Sequence, residues 1–209
     1  MNAGILAVES IEKFGEFETL FFRGEGYTNA ERLDYASRMA TLLQEQGVKP
    51  GDTVAVMMMN SPDVTAAFHA IWRAGAAILP VIPQLTPNEV NYLLQDSGAK
   101  VMLTSPQLAN AADQARKDVA TFEKMLCFGE SSVEDATNIA SMVALAPPME
   151  NLTDRCKDDL AILMYTSGTT GKPKGVMLSH NNILVNHRAI ASIRPLEPKT
   201  RGMSLLPMS

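Results

Sequence analysis

The pattern of apolar runs and helix signals in this 209-residue chain predicts an α/β fold: a doubly wound, mostly parallel sheet with helices on both faces. Apolar runs of strand length alternate with helically spaced stretches from Thr28 onward. Thr28-Asn-Ala-Glu31 and Thr86-Pro-Asn-Glu89 are capping-box sequences that mark helix starts. Strands separated by single helices require βαβ crossovers, hence parallel pairing.

After Thr28, Leu33, Ala36, Ala40 and Leu43 recur at helical spacing until Gly47 offers a C-cap. Pro50-Gly51-Asp52 makes a turn, and the all-apolar run Thr53 to Met59 after it predicts a buried strand. Ser61-Pro62 opens a helix with Val64, Ala67, Phe68 and Ile71 on one face, closed at Gly75. Ala77 to Ile82 is the next strand. Val90, Leu93 and Leu94 then place a helix after Thr86, Lys100 to Thr104 a strand, Ser105-Pro106 to about Lys117 a helix, and Lys124 to Phe128 a further strand. The acidic stretch 129–157 ends its middle part at Pro147-Pro148 and carries one expected helix, Val133 to Leu145. It divides the chain into an α/β lobe (1–128), a variable connection (129–157) and a final segment (158–209).

Composition excludes several classes. The chain is 46% apolar and 20% charged, ordinary for a globular protein. Its net charge of −5, with scattered lysines and arginines, argues against a nucleic-acid partner. The most apolar region, Ala74 to Ile82, is too short for a transmembrane segment, and MNAGILAVESIEKF has no basic region of a secretory signal. Cys127 and Cys156 have no metal-like spacing and read as two thiols of a cytoplasmic chain, with peripheral attachment to a membrane left open.

The final segment holds the chemistry. Tyr165 to Gly175, YTSGTTGKPKG, sits between the apolar runs Leu160 to Tyr165 and Val176 to Leu178, which predict the two strands of a hairpin. Gly168, Gly171 and Gly175 let backbone N–H groups approach an anion, Thr166, Ser167, Thr169 and Thr170 add hydroxyl donors, and Lys174 adds charge. This composition predicts a phosphate loop. It is not a Walker loop, because the fifth residue after Gly168 is Pro173 and a strand follows. Lys172 reads as a solvated loop lysine, and His180 as a structural residue at the start of a helix running to Ile193, whose Ile183, Leu184, Ile190 and Ile193 have core spacing. His69 and His187 lack partners at any recognisable catalytic or metal spacing, so no metal ligands are expected.

Leu163 to Lys174, LMYTSGTTGKPK, resembles the AMP-binding signature of the acyl-adenylate-forming enzymes at every position. That superfamily includes acyl-CoA synthetases, aryl-CoA ligases, beetle luciferases and peptide-synthetase adenylation domains. The run from Gly26 to Ser105 resembles the same family's N-terminal lobe through its Tyr-Thr helix start, Gly-Val-x-x-Gly-Asp turn, Asn-Ser helix entry and Ala-Gly-Ala-x-x-x-Pro passage. The resemblance implies a truncated N-terminal lobe of the acyl-CoA synthetase fold. It implies an ATP-dependent, AMP-forming carboxylate-CoA ligase acting on a fatty or aryl carboxylic acid, with ATP, Mg2+ and CoA as co-substrates or cofactor. It assigns the fixed catalytic lysine to Lys174 and nucleotide binding to Thr166, Ser167, Gly168, Thr169, Thr170, Gly171, Lys174 and Gly175. The family's adenine loop, ribose-binding aspartate, hinge and terminal lysine would lie past Ser209, so this chain alone is expected to be inactive and prone to self-association through Met203 to Leu206, a strand start. A non-catalytic nucleotide- or partner-binding module, and an adenylation domain of luciferase or peptide-synthetase type, stay open as alternatives.

Overall fold

The apolar run after Asp52 is a strand covered on both sides: Val54 and Val56 enter one core, Ala55 and Met57 the other, and all four are fully buried. This holds in a computed structural model that describes residues 1–166, 172–193, 200, 202–204 and 208. In chain order the elements are α1 (Ile5–Phe14), β1 (Glu18–Phe22), β2 (Glu25–Thr28), α2 (Asn29–Glu45), β3 (Thr53–Met57), α3 (Pro62–Arg73), β4 (Ala77–Pro80) and α4 (Pro87–Ser97). Then come β5 (Val101–Thr104), a 3-10 turn (Pro106–Leu108), α5 (Ala109–Arg116), β6 (Lys124–Cys127), β7 (Ala136–Asn138), α6 (Ala140–Leu145), β8 (Leu160–Thr166), β9 (Lys174–Ser179) and α7 (His180–Ile193).

The main sheet has the order β7-β6-β5-β3-β4-β8-β9, parallel throughout except for the antiparallel pair β8 and β9. From β3 the chain passes to its neighbour β4 through α3, which packs on the Val54 and Val56 face. It returns over β3 to β5 through α4 and goes on to β6 through α5, both on the Ala55 and Met57 face. Opposite directions of travel use opposite faces, as crossovers of one hand require, and the result is the doubly wound sheet that the sequence predicts.

Both capping boxes form. Thr28 and Thr86 accept from the N–H of Glu31 and Glu89, and each glutamate reaches back to its threonine's N–H at 2.8 Å. Other expectations are corrected. The helix expected over 133–145 is instead β7 followed by the short α6, because the open edge of β6 offers a ladder that Ala136–Asn138 pairs with. Here the tertiary partner overrides local spacing. The strands expected to reach Met59 and Ile82 stop at Met57 and Pro80, the second at a residue with no N–H to donate. The helix after Ser105 opens as a 3-10 turn. Gly202–Ser204 form no strand, and 205–207 lie outside the described residues.

The N-terminal elements α1 and β1–β2 carry too little signal to be expected from sequence. No residue of α1 is buried. The β1–β2 hairpin turns through Arg23 and Gly24, both at positive φ (51° and 88°), and an arginine there hides a turn that Asn-Gly would advertise.

Candidate functional site

β8 is flanked by β4, which it meets at the rung Ile78↔Ile162, and by β9, with which it runs from Leu160↔Ser179 to Thr166↔Lys174. The Trp72 indole N–H donates to the Ala161 carbonyl at 3.0 Å and ties the start of β8 to α3. At the far end, Thr166 and Lys174 face each other as the last rung, both exposed. Cross-strand partners share a face, so a hydroxyl donor and an ammonium stand side by side where the loop begins and ends. Among the described residues Lys174 has no acidic partner, unlike Lys100, which is paired with Asp52 at 2.8 Å. Ser167, Gly168, Thr169, Thr170 and Gly171 lie outside the described residues.

Gly175 is paired with Tyr165, and a Cβ on it would meet Leu163 Cδ1 at 3.1 Å and the Tyr165 ring at 3.4 Å. Glycine therefore lets the Tyr165 ring lie close over the ladder. The Tyr165 hydroxyl donates to Asp96 Oδ2 at 2.6 Å, its ring meets Tyr92 edge-on with centroids 6.4 Å apart, and burial and Asp96 together push its phenol pKa up. The Tyr92 hydroxyl donates to the Pro173 carbonyl at 3.3 Å. Lys172, expected to be solvated, holds its ammonium 5.6 Å from the centre of the Tyr92 ring, within reach of a cation–π contact. Sequence reasoning missed Tyr92, Asp96 and Tyr165 as a group. Only the aromatic and the acid at i and i+4 on one helix hinted that a single face was being used.

His180 opens α7, whose cap is Ser179: its Oγ accepts from Asn182 N–H at 3.2 Å, and Asn182 Oδ1 accepts from Ser179 N–H at 2.9 Å. The imidazole is buried. Its Nδ1 accepts from the Ala3 N–H at 3.1 Å, which requires the neutral ring, and burial, with Arg155 nearby, pulls its pKa down to about 4. Its role is structural, as expected. The expected core spacing of α7 is only half realised: Leu184 is buried, whereas Ile190 and Ile193 are 55% and 85% exposed. His69, beside Trp72 on α3, is also held neutral, its pKa pulled down to about 4 by burial and then by Arg73 and Arg32. With His187 it lines a cavity of about 420 Å³ among α1, β1, α2, α3 and α7, whose lining does not include Lys174.

An anion fits the tip of the hairpin, since an exposed cation without an acidic partner and an exposed hydroxyl stand together there. Among the described residues no three His, Cys, Asp or Glu side chains cluster to hold a metal ion. No helix among the described residues is long and apolar enough to cross a membrane.

A family model described as AMP-binding enzyme matches residues 8–209. Gramicidin S synthase 2 of Brevibacillus brevis is 31% identical over 176 residues, covering 84% of this chain and 4% of that protein. Among solved structures, ATP-bound MatB from Rhodopseudomonas palustris is similar with a TM-score of 0.77 at 29% identity, covering 92% of this chain and 38% of that one. A Mycobacterium tuberculosis fatty acyl CoA synthetase is similar with a TM-score of 0.73 at 26% identity, covering 86% of this chain and 34% of that one. The chain thus spans a small part of the peptide synthase and about a third of the two solved chains.

Proposed function

Since this chain belongs to the AMP-binding enzyme family, we propose that it is the phosphate-binding part of an ATP-dependent, AMP-forming carboxylate-CoA ligase that activates a fatty or aryl acid. The observation that carries the reading is the Thr166–Lys174 rung, an exposed hydroxyl and an ammonium without an acidic partner among the described residues, flanking a loop of glycine and hydroxyl residues. Attack of a carboxylate on the α-phosphorus of ATP expels pyrophosphate, so negative charge grows on the leaving group. Lys174 and the Thr166 hydroxyl stabilise that charge from fixed positions, and Ser167, Gly168, Thr169, Thr170, Gly171 and Gly175 are proposed to complete the cradle. A magnesium ion bound to the phosphates supplies further charge neutralisation. Similarity to a fatty acyl CoA synthetase supports CoA as acceptor.

A second reading has its own support. Gramicidin S synthase 2 has 31% identity to this chain, which favours a peptide-synthetase adenylation domain. Both readings share adenylation and differ in the acceptor of the acyl group. Incubating the complete enzyme with ATP and a panel of fatty and aryl acids, with CoA, separates them: acyl-CoA formation supports the ligase, and acyl-adenylate that never passes to CoA overturns it. In the same enzyme, Lys174→Ala is expected to slow pyrophosphate exchange into ATP by an amount equivalent to about 2 to 4 kcal/mol of transition-state stabilisation. A near-parental exchange rate removes Lys174 from this role.

The 209-residue chain alone is expected to bind Mg-ATP weakly and to turn nothing over. Met177, Ile190 and Ile193 form exposed apolar positions on β9 and α7, and we expect them to drive concentration-dependent self-association. Analytical ultracentrifugation checks this: Met177→Lys with Ile193→Lys is expected to shift the chain towards monomer, and an unchanged distribution assigns any association to another surface.

A further inference from the structure

Among the described residues, the end of β8 has no strand beside it on its β4 side. Ile78 pairs with Ile162, so Pro80, the last residue of β4, falls level with Met164, and Tyr165 and Thr166 run on past it. On the other side lies β9, the last strand of the sheet among the described residues. A two-stranded tip of this kind holds no fixed position by pairing alone. Among the described residues, α4 supplies the hydrogen bonds and ring contacts that reach it from outside the hairpin. Asp96 accepts from the Tyr165 hydroxyl, and Tyr92 packs edge-on against the Tyr165 ring, donates to the Pro173 carbonyl and lies under Lys172. The brace thus touches the end of β8 and the residues just before β9. Tyr165 packs against the core shared with α4, and by strand alternation Thr166 and its partner Lys174 point to the other face. α4 therefore fixes the backbone of the tip and leaves the anion-facing side open.

α4 is itself firmly placed. Its first turn is closed by the Thr86–Glu89 capping box, Gly98 in the left-handed region (φ 63°) ends it, and Asn91 donates to the Ala115 and Lys117 carbonyls at 2.8 Å each. The 2.6 Å bond from Tyr165 is charge-assisted, the stronger kind. Asp96 also places a negative charge beside a site for phosphate, which is unfavourable unless its acceptor role outweighs its charge.

We propose that Tyr92 and Asp96 are positioning residues for the phosphate-binding hairpin, holding Tyr165 and Pro173 so that Thr166 and Lys174 meet a nucleotide's phosphates in a preset arrangement. The inference rests on the nucleotide-binding reading above. The test is a titration of the 209-residue chain with Mg-ATP, followed through the amide NMR signals of Thr166, Lys174 and Gly175. The isosteric Tyr165→Phe, and Asp96→Ala, are expected to weaken binding about three- to tenfold. Asp96→Asn keeps an acceptor and is expected to restore affinity, and the double variant Asp96→Ala with Tyr165→Phe to bind no more weakly than either single one. A residue that merely supports the fold would show neither the rescue nor the lack of additivity. Parental affinity in Tyr165→Phe, or tighter binding in Asp96→Ala, overturns the positioning role while the nucleotide reading stands. Signals of the parent chain that do not respond to Mg-ATP overturn both.

Discussion

The strands from β3 to β6 and the β8–β9 hairpin belong to one sheet, yet they are built on opposite terms. β3 and β5 are buried along their whole length and paired on both sides, with helices over both faces. Among the described residues β9 is an edge strand, exposed over its first four residues, and the tip beyond Met164 leans on α4. The central strands contribute apolar burial and little chemistry. The hairpin contributes an accessible hydroxyl and ammonium and little burial. Stability and the proposed recognition are thus assigned to different strands, so each can be altered with small effect on the other.

The largest expected effect lies in the buried strands. Leu103→Ala removes a fully buried side chain from the centre of one core and is expected to cost about 2 to 5 kcal/mol in urea unfolding. A loss below about 1 kcal/mol would break the contrast between the regions.

Next is acid. His69 in the α/β lobe and His180 behind the hairpin both have a pKa drawn down from 6.5 to about 4 in the folded chain. The unfolded chain therefore takes up protons first as pH falls. The stabilisation is whole above about pH 6.5, declines between 6.5 and 4, and falls no further from this source below that; each histidine contributes at most about 3 kcal/mol, at roughly 1.4 kcal/mol per pKa unit. Unfolding curves from pH 7.5 to 4 check it. His180→Asn, which offers an oxygen to the Ala3 N–H, is expected to flatten the decline, and an unaltered slope would show that His180 titrates alike in both states.

The smallest effect is at the hairpin surface. Lys174→Ala and Met177→Ala are expected to change unfolding free energy by no more than about 0.5 kcal/mol, since both side chains are exposed. A larger loss would mean that the hairpin supports the fold as well as the site.

What the sequence makes legible follows the same division. Buried parallel strands must be nearly continuous apolar runs, and capped helices announce their starts with paired Thr and Glu, so β3, β4, β5, α2 and α4 are readable as elements, although β3 and β4 each end two residues before their apolar runs do. β7 is not readable, because Ala136–Asn138 become a strand only through the neighbouring edge of β6. The hairpin's composition predicts a phosphate ligand by chemistry alone, through Gly, Thr, Ser and Lys. Its supports are hidden, because Tyr92 and Asp96 are about 70 residues from Tyr165 in sequence and nothing local in either segment points to the other. The exposed Ile190 and Ile193 show the converse limit: spacing reveals which residues share a helix face, while only a packed neighbour decides whether that face is covered.

The hairpin also differs from the rest of the sheet in when it can form. β8 and β9 are joined by a short loop and can pair within microseconds, whereas β8 reaches its partner β4 across more than eighty residues of intervening chain. As the polypeptide is made from its N-terminus, β3 to β6 emerge first, and the Ala161 carbonyl and Ile162 arrive to find Trp72 and Ile78 already in place. The β8–β9 end of this protein is therefore a late, fast addition to a slowly assembled sheet, and a nascent chain stalled before Leu160 would present β4 as an open, apolar edge.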